Sequence, residues 1–504
     1  MTANPVFNLA RDSIGNRAAS PESGSRPAFT FISDEGVRSW TYAEAWAEIE
    51  RYAQGLLARD LRPGERVLIR LAHSAEYAFA FFGANLAGLV PVPASPQLTE
   101  EEVDFLLSDS GASGVIARPA EWPSRASCPR FSPEELRHEL RGMELPETHA
   151  EDPAYLIYTS GTTAKPKGVL HAQRVLIGRS FMVGDAWESL SASDVVMHAG
   201  ALNWSYTMGV GLMDPWSVGA RAILVASGTE PVSWPRLIEA HGVTVFAAVP
   251  TVYRQMLKYG RPEDHDLSRF RFGLCAGEAL PPETAQMWRE RVGTELYEAL
   301  GMTECSTYIS SGPGIPTKSG SPGKPQPGRR VAILSEETGG ALPVDAVGLL
   351  AIHRSDPGLM LGYWRRPDEE AAVFRGEWFV GGDRASLDDD GYVWFHGRAD
   401  DLIKSFGYRL SPIEIEAALS TCAGVAEVAV VGVPLDADKT LVTACIVAED
   451  GVDLTDRELA EHAARHLAGY KRPHQYRFVD SFPRTANGKI RRSELVRDLL
   501  AEVR

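Results

Sequence analysis

Residues 41–95 read TYAEAWAEIERYAQGLLARDLRPGERVLIRLAHSAEYAFAFFGANLAGLVPVPAS, and they contain two helix patterns that are each followed by a strand pattern. After Thr41, which suits a helix N-cap, apolar residues recur at helical spacing as far as Arg59. Residues 66–71 form a short apolar run typical of a strand, and an Ala- and Phe-rich helix pattern follows over residues 76–89. Strands that alternate with helices indicate mostly parallel sheets that carry helices on both faces.

The same alternation continues through the middle of the chain. Strand-like runs lie near Val195, Ala222, Val243 and Arg271, and helical stretches separate them. We therefore predict an α/β fold with a large N-terminal domain of mostly parallel sheets sandwiched by helices. Residues 310–330 are rich in Gly, Pro and Ser, which predicts a long surface loop.

The pattern changes near Arg398. The preceding acidic run Asp388–Gly391 is typical of a hairpin turn, and it favours a solvated turn over a metal site because consecutive turn residues diverge. The chain that follows has its own alternation of strands and helices and is long enough for a small independent domain. We place the domain boundary between residues 1–399 and residues 400–504.

The overall composition narrows the classes of function. The chain has 504 residues, of which 44% are hydrophobic, as in an ordinary globular protein. The net charge of −16 argues against general binding of nucleic acid or of anionic membranes. The five cysteines are scattered without metal-ligand spacing, which fits a reducing compartment. We find no signal-peptide pattern and no apolar run of membrane-spanning length, so a cytoplasmic location is expected.

Residues 156–170 read LIYTSGTTAKPKGVL, an apolar strand followed by small hydroxyl residues, glycines and two lysines. Backbone N–H groups, hydroxyls and ammonium groups within one loop suit a triphosphate. The candidate phosphate ligands are Thr159, Ser160, Gly161, Thr162, Thr163, Lys165 and Lys167. The spacing differs from that of the common nucleotide P-loop, because Gly168 follows the second lysine instead of preceding it. From these residues alone, a flexible Ser/Gly surface loop is the alternative.

Five motifs occur in a fixed order: YTSGTTAKPKG, YEALGMTE, GEWFVGGDRASLDDDGY, GRADDLIKSFGYRLSPIEIE and PRTANGK. Together they resemble the successive motifs of the adenylate-forming superfamily, which contains acyl-CoA synthetases, peptide-synthetase adenylation domains and beetle luciferases. The resemblance covers residues 29–495. It implies that the large domain also contains a small barrel-like part, and that the small α+β C-terminal domain is mobile.

The reaction implied by this resemblance has two halves. A carboxylate attacks the α-phosphorus of ATP, which gives an acyl-adenylate and pyrophosphate, and a thiol, usually that of coenzyme A, then displaces AMP. Thr303 is implied to contact the α-phosphate, and Glu304 to hold Mg²⁺. Lys489 is implied to reach the carboxylate and the α-phosphate during adenylation. Without this context, the Thr-Glu pair resembles a helix cap and Lys489 a surface lysine.

Further positions are implied to bind the cofactors. Gly277, Glu278 and Ala279 resemble the loop that packs against adenine, and Glu298 stands where the adenine amino group is usually met. Asp383 resembles the ribose-binding aspartate, assisted by Arg398. Gly407 would line the pantetheine tunnel, Arg409 would support phosphate or coenzyme A binding, and Asp400 matches the hinge between the domains.

A separate stretch of the sequence bears on which acid is activated. The segment HAGALNWSYTMGVGLMDPWSVGA resembles medium-chain acyl-CoA ligases and benzoate-type ligases. The expected pocket residues are Asn203, Trp204, Tyr206, Gly209, Gly301 and Met302. Acetate-activating relatives carry tryptophan at the position of Gly301, so glycine favours a larger acid. None of the six carries a charge, which weighs against amino acids and dicarboxylates.

We therefore predict an ATP-dependent carboxylic acid–CoA ligase that requires ATP, Mg²⁺ and coenzyme A and acts on a medium-chain or small aromatic acid. The alternative is a free-standing adenylation enzyme that loads an acyl-carrier protein; a luciferase-like oxygenase and a catalytically silent relative fit less well. Further hypotheses are a homodimer and acetylation of Lys489 by a lysine acetyltransferase. We expect neither a nucleic-acid partner nor a membrane span.

Overall fold

The computed structural model of the protein describes residues 4–124, 126–137, 142–159, 166–399, 403–405, 408–434, 440–449, 451–484 and 490–502, apart from the side chains of residues 404, 408, 409, 470 and 502. The chain divides into two compact units. The N-terminal unit comprises Met1–Val331 and Ile352–Phe379, and the C-terminal unit comprises Ala332–Ala351 and Val380–Arg504. The sequence-based boundary at residue 400 stays a prediction. Within the ranges given above, no helix is both long enough and apolar enough to cross a membrane.

The largest sheet of the N-terminal unit has nine strands among the residues described. In spatial order they are Lys324–Pro325, Ser306–Ser310, Glu295–Met302, Phe272–Ala276, Val245–Ala248, Val195–His198, Arg221–Val225, Pro27–Ser33 and Gly36–Thr41. The pairings from Glu295–Met302 to Pro27–Ser33 are parallel, and antiparallel strands pair outside them at both edges. We call this the main sheet. Its parallel centre confirms the predicted mixed α/β class.

Two smaller sheets belong to the same unit. A parallel sheet contains Val90–Ala94, Arg66–Arg70, Gly114–Ala117 and Arg130–Phe131. An antiparallel sheet contains Gly362–Tyr363, Lys167–Ala172 and Pro153–Thr159. The second sheet carries both ends of the predicted phosphate loop.

Helices connect these strands. They are Tyr42–Leu57, Ala75–Leu86, Glu100–Ser110, Val175–Val183, Asp214–Val218, Trp234–His241, Pro250–Gln255, Pro282–Val292 and Pro367–Ala372, with shorter helical turns at Asn16–Ala18, Pro133–Leu136 and Ser205–Met208. Single π-helical segments lie at Arg11–Gly15, Gly209–Met213 and Met256–Gly260, and 3₁₀ turns at Pro119–Glu121, Pro231–Ser233 and Pro262–Asp264.

The first two long helices agree with the sequence patterns. The side chain of Thr41 accepts the N–H of Glu44 and Glu44 bonds back to Thr41, a capping box that explains why the helix begins at Tyr42. The second helix begins after Ser74, whose hydroxyl also caps it. A Cβ on Gly83 would lie only 2.5 Å from the Cβ of Tyr52, so glycine permits the close packing of the two helices.

The expectation of a surface loop over residues 310–330 is wrong for much of its length. Ser310 is completely buried and Arg329 is 7% exposed. The guanidinium of Arg329 pairs with buried Asp356 and donates to the carbonyl of Gly178 at 2.9 Å. An irregular segment can be buried in this way because side chains satisfy its polar groups.

The C-terminal unit has α+β character. Its strands include Val393–Arg398, Ile403–Ser405, Tyr408–Leu410, Val425–Pro434, Thr440–Ala448 and Gln475–Phe478, and its helices are Pro412–Ser420, Asp456–His466 and Arg492–Glu502. The chain passes between the units within Val331–Leu334, Gly348–His353 and Trp378–Leu387. Val425–Pro434 pairs antiparallel with Thr440–Ala448, which pairs parallel with Gln475–Phe478.

Candidate active site

Three of the predicted site segments follow the carboxyl ends of parallel strands in the main sheet. Residues 203–204 follow Val195–His198, residues 277–279 follow Phe272–Ala276, and residues 303–304 follow Glu295–Met302. After Val195–His198 the chain forms Arg221–Val225 on one side of that strand and then Val245–Ala248 on its other side, so the strand order reverses there. Ligands of open α/β sheets bind in the crevice at such a reversal.

Thr303 and Glu304 lie in a tight turn of a β-hairpin. Glu295–Met302 pairs antiparallel with Ser306–Ser310, and the N–H of Cys305 donates to the carbonyl of Met302 at 3.2 Å. The helix-cap alternative for the Thr-Glu pair is therefore wrong. We call residues 303–305 the Thr303 turn.

A buried histidine supports the Thr303 turn. Nε2 of His171 lies 2.8 Å from the carbonyl oxygen of Thr303. His171 is 1% exposed, and burial lowers its pKa to about 4, so the ring is neutral at pH 7. Because a carbonyl can only accept, Nε2 carries the proton and donates it.

The carboxylate of Glu304 is held by a residue that the sequence reasoning missed. The Tyr363 hydroxyl donates to Oε1 of Glu304 at 2.7 Å, and the Met360 N–H donates to the Glu304 carbonyl at 2.7 Å. The ammonium of Lys167 lies 5.4 Å from the centroid of the Tyr363 ring and forms an ion pair with Glu369. Tyr363 therefore joins a predicted phosphate ligand to the predicted magnesium ligand.

The phosphate loop is described only at its ends. Thr159 and Lys167 are opposite each other in the antiparallel pair, which brings both ends of the loop together. The hydroxyl of Tyr158 donates to Asp109 at 2.7 Å and anchors the strand that enters the loop. The predicted ligands Ser160, Gly161, Thr162, Thr163 and Lys165, together with Ala164, lie outside the described residues.

In the predicted adenine loop, Gly277 adopts a backbone conformation that favours glycine. Gly277 has φ of +91°, and a Cβ there would lie 3.0 Å from ring carbons of Trp204. Gly277 and Ala279 are exposed, while Glu278 accepts the hydroxyl of Thr251 at 2.8 Å. The loop thus offers open backbone beside an indole ring.

Glu298 links its own strand, Glu295–Met302, to this loop through a hydrogen bond. Its Oε1 accepts the N–H of Leu280 at 3.1 Å. Burial raises the pKa of Glu298 to about 7, against the effect of this hydrogen bond. The backbone carbonyl of Glu298 accepts the N–H of Ser311 at 2.9 Å. The role of Glu298 in binding adenine stays a prediction.

Aromatic rings dominate the predicted acyl pocket. The rings of Trp204 and Tyr206 pack edge to face, with centroids 5.0 Å apart. A Cβ on Gly209 would overlap the guanidinium of Arg179, which pairs with Asp214. Gly209 therefore serves the packing of a buried ion pair. Asn203 and Met302 are half-buried.

Gly301 has a second explanation besides an open pocket. It is exposed, and a Cβ there would overlap the carbonyl oxygen of Ser306 and lie 2.6 Å from the Cα of Thr307. Glycine at this position allows the two strands of the hairpin to approach. Its effect on the size of the acid stays a prediction.

In the C-terminal unit, the predicted ribose ligand and its helper are partners. Asp383 and Arg398 are opposite each other in a hairpin, and Nη1 of Arg398 lies 3.3 Å from Oδ1 of Asp383. Asp383 is 5% exposed. The backbone of Arg409 pairs with Lys404. Asp400, Gly407, Lys489 and the side chain of Arg409 lie outside the described residues.

Comparison with known proteins agrees with this geometry. Residues 17–364 match the AMP-binding enzyme family, and residues 414–489 match the AMP-binding enzyme C-terminal domain. The chain is 31% identical to benzoate–CoA ligase of Thauera aromatica, with 97% of this chain and 95% of that protein covered. It is 30% identical to the mitochondrial acyl-coenzyme A synthetase ACSM3 of Mus musculus, with 97% and 90% covered.

A solved structure extends the similarity to the whole chain. The anthranilate CoA ligase AuaEII in complex with anthranoyl-AMP superposes with a TM-score of 0.87 at 28% identity, covering 99% of both chains. Because the two family models match most of the chain, in the expected order, this protein belongs to the AMP-binding enzyme family of the adenylate-forming superfamily.

Proposed function

We propose that this protein is an ATP-dependent carboxylic acid–coenzyme A ligase that forms an acyl-adenylate and then an acyl-CoA thioester. The observation that carries the proposal is the Thr303 turn beside the Gly277 loop at the strand reversal of the main sheet. The segments that we propose to bind the phosphate and the base follow neighbouring parallel strands at one edge of this sheet, an arrangement that supports adenylation of an acid.

In the first half-reaction, the protein brings two anions together. Lys167 and the loop after Thr159 would bind the pyrophosphate portion, and Lys167 would then exchange its ion pair with Glu369 for phosphate oxygens. Thr303 would donate to the α-phosphate, and the Gly277 loop would take the adenine ring. Lys489 would neutralise charge between carboxylate and phosphate as the new bond forms.

Glu304 suits a magnesium ion. Mg²⁺ binds through one or two carboxylates and completes its shell with phosphate oxygens and water. Bound there, the ion would neutralise charge that develops on the polyphosphate. A single carboxylate oriented by Tyr363 fits this demand, and the part of the chain that is described contains no cluster of three or more ligating side chains.

The substrate class follows from the pocket. Trp204 and Tyr206 present apolar rings, which favours a medium-chain or small aromatic acid. The benzoate and anthranilate ligases among the similar proteins support the aromatic choice.

The test is coenzyme A-dependent release of AMP across a panel of aliphatic and aromatic acids. We expect AMP and pyrophosphate in equal amounts, and thioester only with coenzyme A. Thioester formed on a phosphopantetheinyl carrier protein but not on coenzyme A would favour the carrier-loading alternative. No pyrophosphate with any acid would refute the proposal.

Other partners stay predictions from the sequence. A homodimer is testable by sedimentation, and acetylation of Lys489 by mass spectrometry combined with activity. Fully acetylated protein with full activity would remove the second hypothesis, because acetylation neutralises the ammonium. The cytoplasmic location also stays a prediction.

A further inference from the structure

A buried arginine joins part of the predicted acyl pocket to the hairpin that carries the Thr303 turn. Arg179 lies on the helix Val175–Val183 and is 3% exposed. Its planar guanidinium has five N–H donors in a fixed arrangement, so the groups that it bonds are held in a fixed relation to one another. Arg179 and the residues that it contacts here all belong to the N-terminal unit.

One edge of the guanidinium is fixed by Asp214, a completely buried residue that begins the helix Asp214–Val218. Nε of Arg179 donates to Oδ1 of Asp214 at 2.7 Å, and Nη2 donates to Oδ2. A bidentate pair of this kind fixes the plane of the guanidinium as well as its position. The other terminal nitrogen, Nη1, therefore points in a fixed direction.

A second buried acid adjoins this pair without competing for the arginine. Glu188 is completely buried, and neither of its carboxyl oxygens accepts a hydrogen bond from a described residue. Burial, and then the neighbouring Asp214 carboxylate, raise the pKa of Glu188 well above its usual value, so its carboxyl group is protonated at pH 7. A protonated carboxyl group can donate to Asp214, and the cluster then holds one cation and one anion.

The guanidinium also fills the space beside Gly209, a predicted pocket residue. A Cβ on Gly209 would overlap both terminal nitrogens and the central carbon of the Arg179 guanidinium. Gly209 begins the π-helical segment Gly209–Met213, which leads directly into Asp214. We call residues 209–214 the pocket segment. Arg179 therefore contacts both ends of the pocket segment.

The other terminal nitrogen of Arg179 reaches the hairpin. Nη1 donates to Oγ of Ser306 at 2.6 Å. Ser306 directly follows the Thr303 turn and pairs with Met302, the residue before that turn. Ser306 has φ of +66°, a conformation that persists at a non-glycine residue only when the surrounding contacts hold it. The hydrogen bond from Arg179 is such a contact, so the arginine restrains the backbone where it leaves the Thr303 turn.

We infer that Arg179 is a positioning residue for adenylation, which acts through Ser306 to hold the Thr303 turn in place relative to the pocket segment. The inference rests on the proposed function, in which Thr303 contacts the α-phosphate and Gly209 adjoins the acid. It adds a residue that would touch neither the substrate nor the cofactor. Placement of two reacting groups has a large effect on rate, and a shift of about 1 Å can cost about a hundredfold.

The test removes the link and keeps the buried ion pair, whose loss would leave a buried charge unpaired. Ser306→Ala deletes the oxygen that accepts from Arg179. In acid-dependent pyrophosphate exchange by the full-length protein, we expect kcat to fall about tenfold and KM for ATP and for the acid to change less than about twofold. The two constants should separate because the contact of Thr303 with the α-phosphate matters most while charge develops there.

Arg179→Lys tests whether the arginine acts through the serine. A lysine keeps a cation beside Asp214, but its single ammonium lacks the planar fork that reaches Asp214 and Ser306 together. Ser306→Ala should therefore lower kcat less than about twofold in the Arg179→Lys background, against about tenfold in wild type. Equal losses in the two backgrounds would overturn the inference.

Ser310→Ala is the control, because it removes a completely buried hydroxyl from the same strand, whose hydrogen bond goes to the carbonyl of Ala186 at 2.8 Å. It should keep kcat near that of wild type, whatever its free energy of unfolding. A fall in kcat as large as that of Ser306→Ala would overturn the inference, since loss of strand stability would then explain both. An unchanged kcat in Ser306→Ala would overturn it and leave the proposed function standing, whereas no pyrophosphate exchange by wild type with any acid would overturn both.

Discussion

At the scale of single residues, Tyr363 connects parts of the N-terminal unit that are distant in sequence. Its hydroxyl reaches Glu304 across 59 positions, and its ring lies beneath the ammonium of Lys167. Residues that orient a metal ligand affect the metal site nearly as strongly as the ligand itself. We therefore expect Tyr363 to control the position of the Glu304 carboxylate.

Tyr363→Phe should raise the Mg²⁺ concentration needed for half-maximal pyrophosphate exchange by about tenfold or more. The ring is kept, so its packing against Lys167 is preserved. Tyr259→Phe, at a tyrosine that is 54% exposed, is the matched control and should have no effect. An unchanged Mg²⁺ dependence in Tyr363→Phe would show that the hydrogen bond has no role in metal binding.

Glu298 makes stability depend on pH. Its pKa in the folded protein is raised from 4.5 to about 7, so the folded state binds the proton more tightly than the unfolded state does. The contribution of the protonated Glu298 carboxyl group to the free energy of unfolding is fully present below pH 4.5 and is lost as the pH rises to about 7. The loss is at most about 1.4 kcal/mol for each unit by which the pKa is raised. As the pH rises from 4.5 to about 7, the free energy of unfolding of Glu298→Gln should therefore rise relative to that of wild type.

Chemical denaturation at a series of pH values measures this difference. Glu337→Gln, at an exposed glutamate, serves as the control and should follow wild type. A difference between Glu298→Gln and wild type that stays constant with pH would contradict the raised pKa.

At the scale of elements, the hairpin that contains the Thr303 turn depends on a glycine. Gly301→Ala should push its strand away from Ser306 and Thr307, because a Cβ would collide with backbone there. We expect the free energy of unfolding to fall by about 1–3 kcal/mol, as in other overpacked sites. Adenylation of every acid should fall together, since Thr303 and Glu304 move with the hairpin.

Gly184→Ala is the control, because a Cβ on Gly184 would meet no atom within 4 Å. Thermal unfolding and pyrophosphate exchange with small and large acids are the measurements. If Gly301→Ala were as stable as wild type and lost activity only with large acids, the pocket explanation would be preferred.

The local elements were predictable where one pattern dominated. The helix after Thr41 carried a cap and a clear apolar period, and the strands near Val195 and Ala222 were short apolar runs. The surface-loop prediction for residues 310–330 is wrong where the segment is buried, because the burial of Arg329 depends on its ion pair with Asp356, and no local sequence pattern indicates that pair. A Gly-, Pro- and Ser-rich composition indicates that a segment is intrinsically flexible. It does not show which distant residues bury that segment.

At the scale of the whole molecule, we predict that the two half-reactions use different surfaces of the C-terminal unit. Lys489→Ala should abolish acyl-adenylate formation and largely spare thioester formation from supplied acyl-adenylate. The reason is that the ammonium is needed only while charge develops between carboxylate and phosphate. Single-turnover assays of each half measure this, and equal losses in both would contradict domain alternation.

The sequence motifs predicted the main residues of the candidate site but not the residues that hold them in position. Thr303, Glu304, Gly277 and Trp204 stood in recognisable motifs, and the described structure gives them one sheet edge. The contacts of Tyr363 with Glu304 and of His171 with Thr303 form only on folding, so no spacing rule could have found them.

The reversal of strand order in the main sheet has a consequence for how this protein can change. The proposed ligand-binding segments at residues 203–204, 277–279 and 303–304 each follow a different strand, and buried residues hold the sheet beneath them. Exchanging one loop should therefore change which acid is preferred without lowering the stability of the fold.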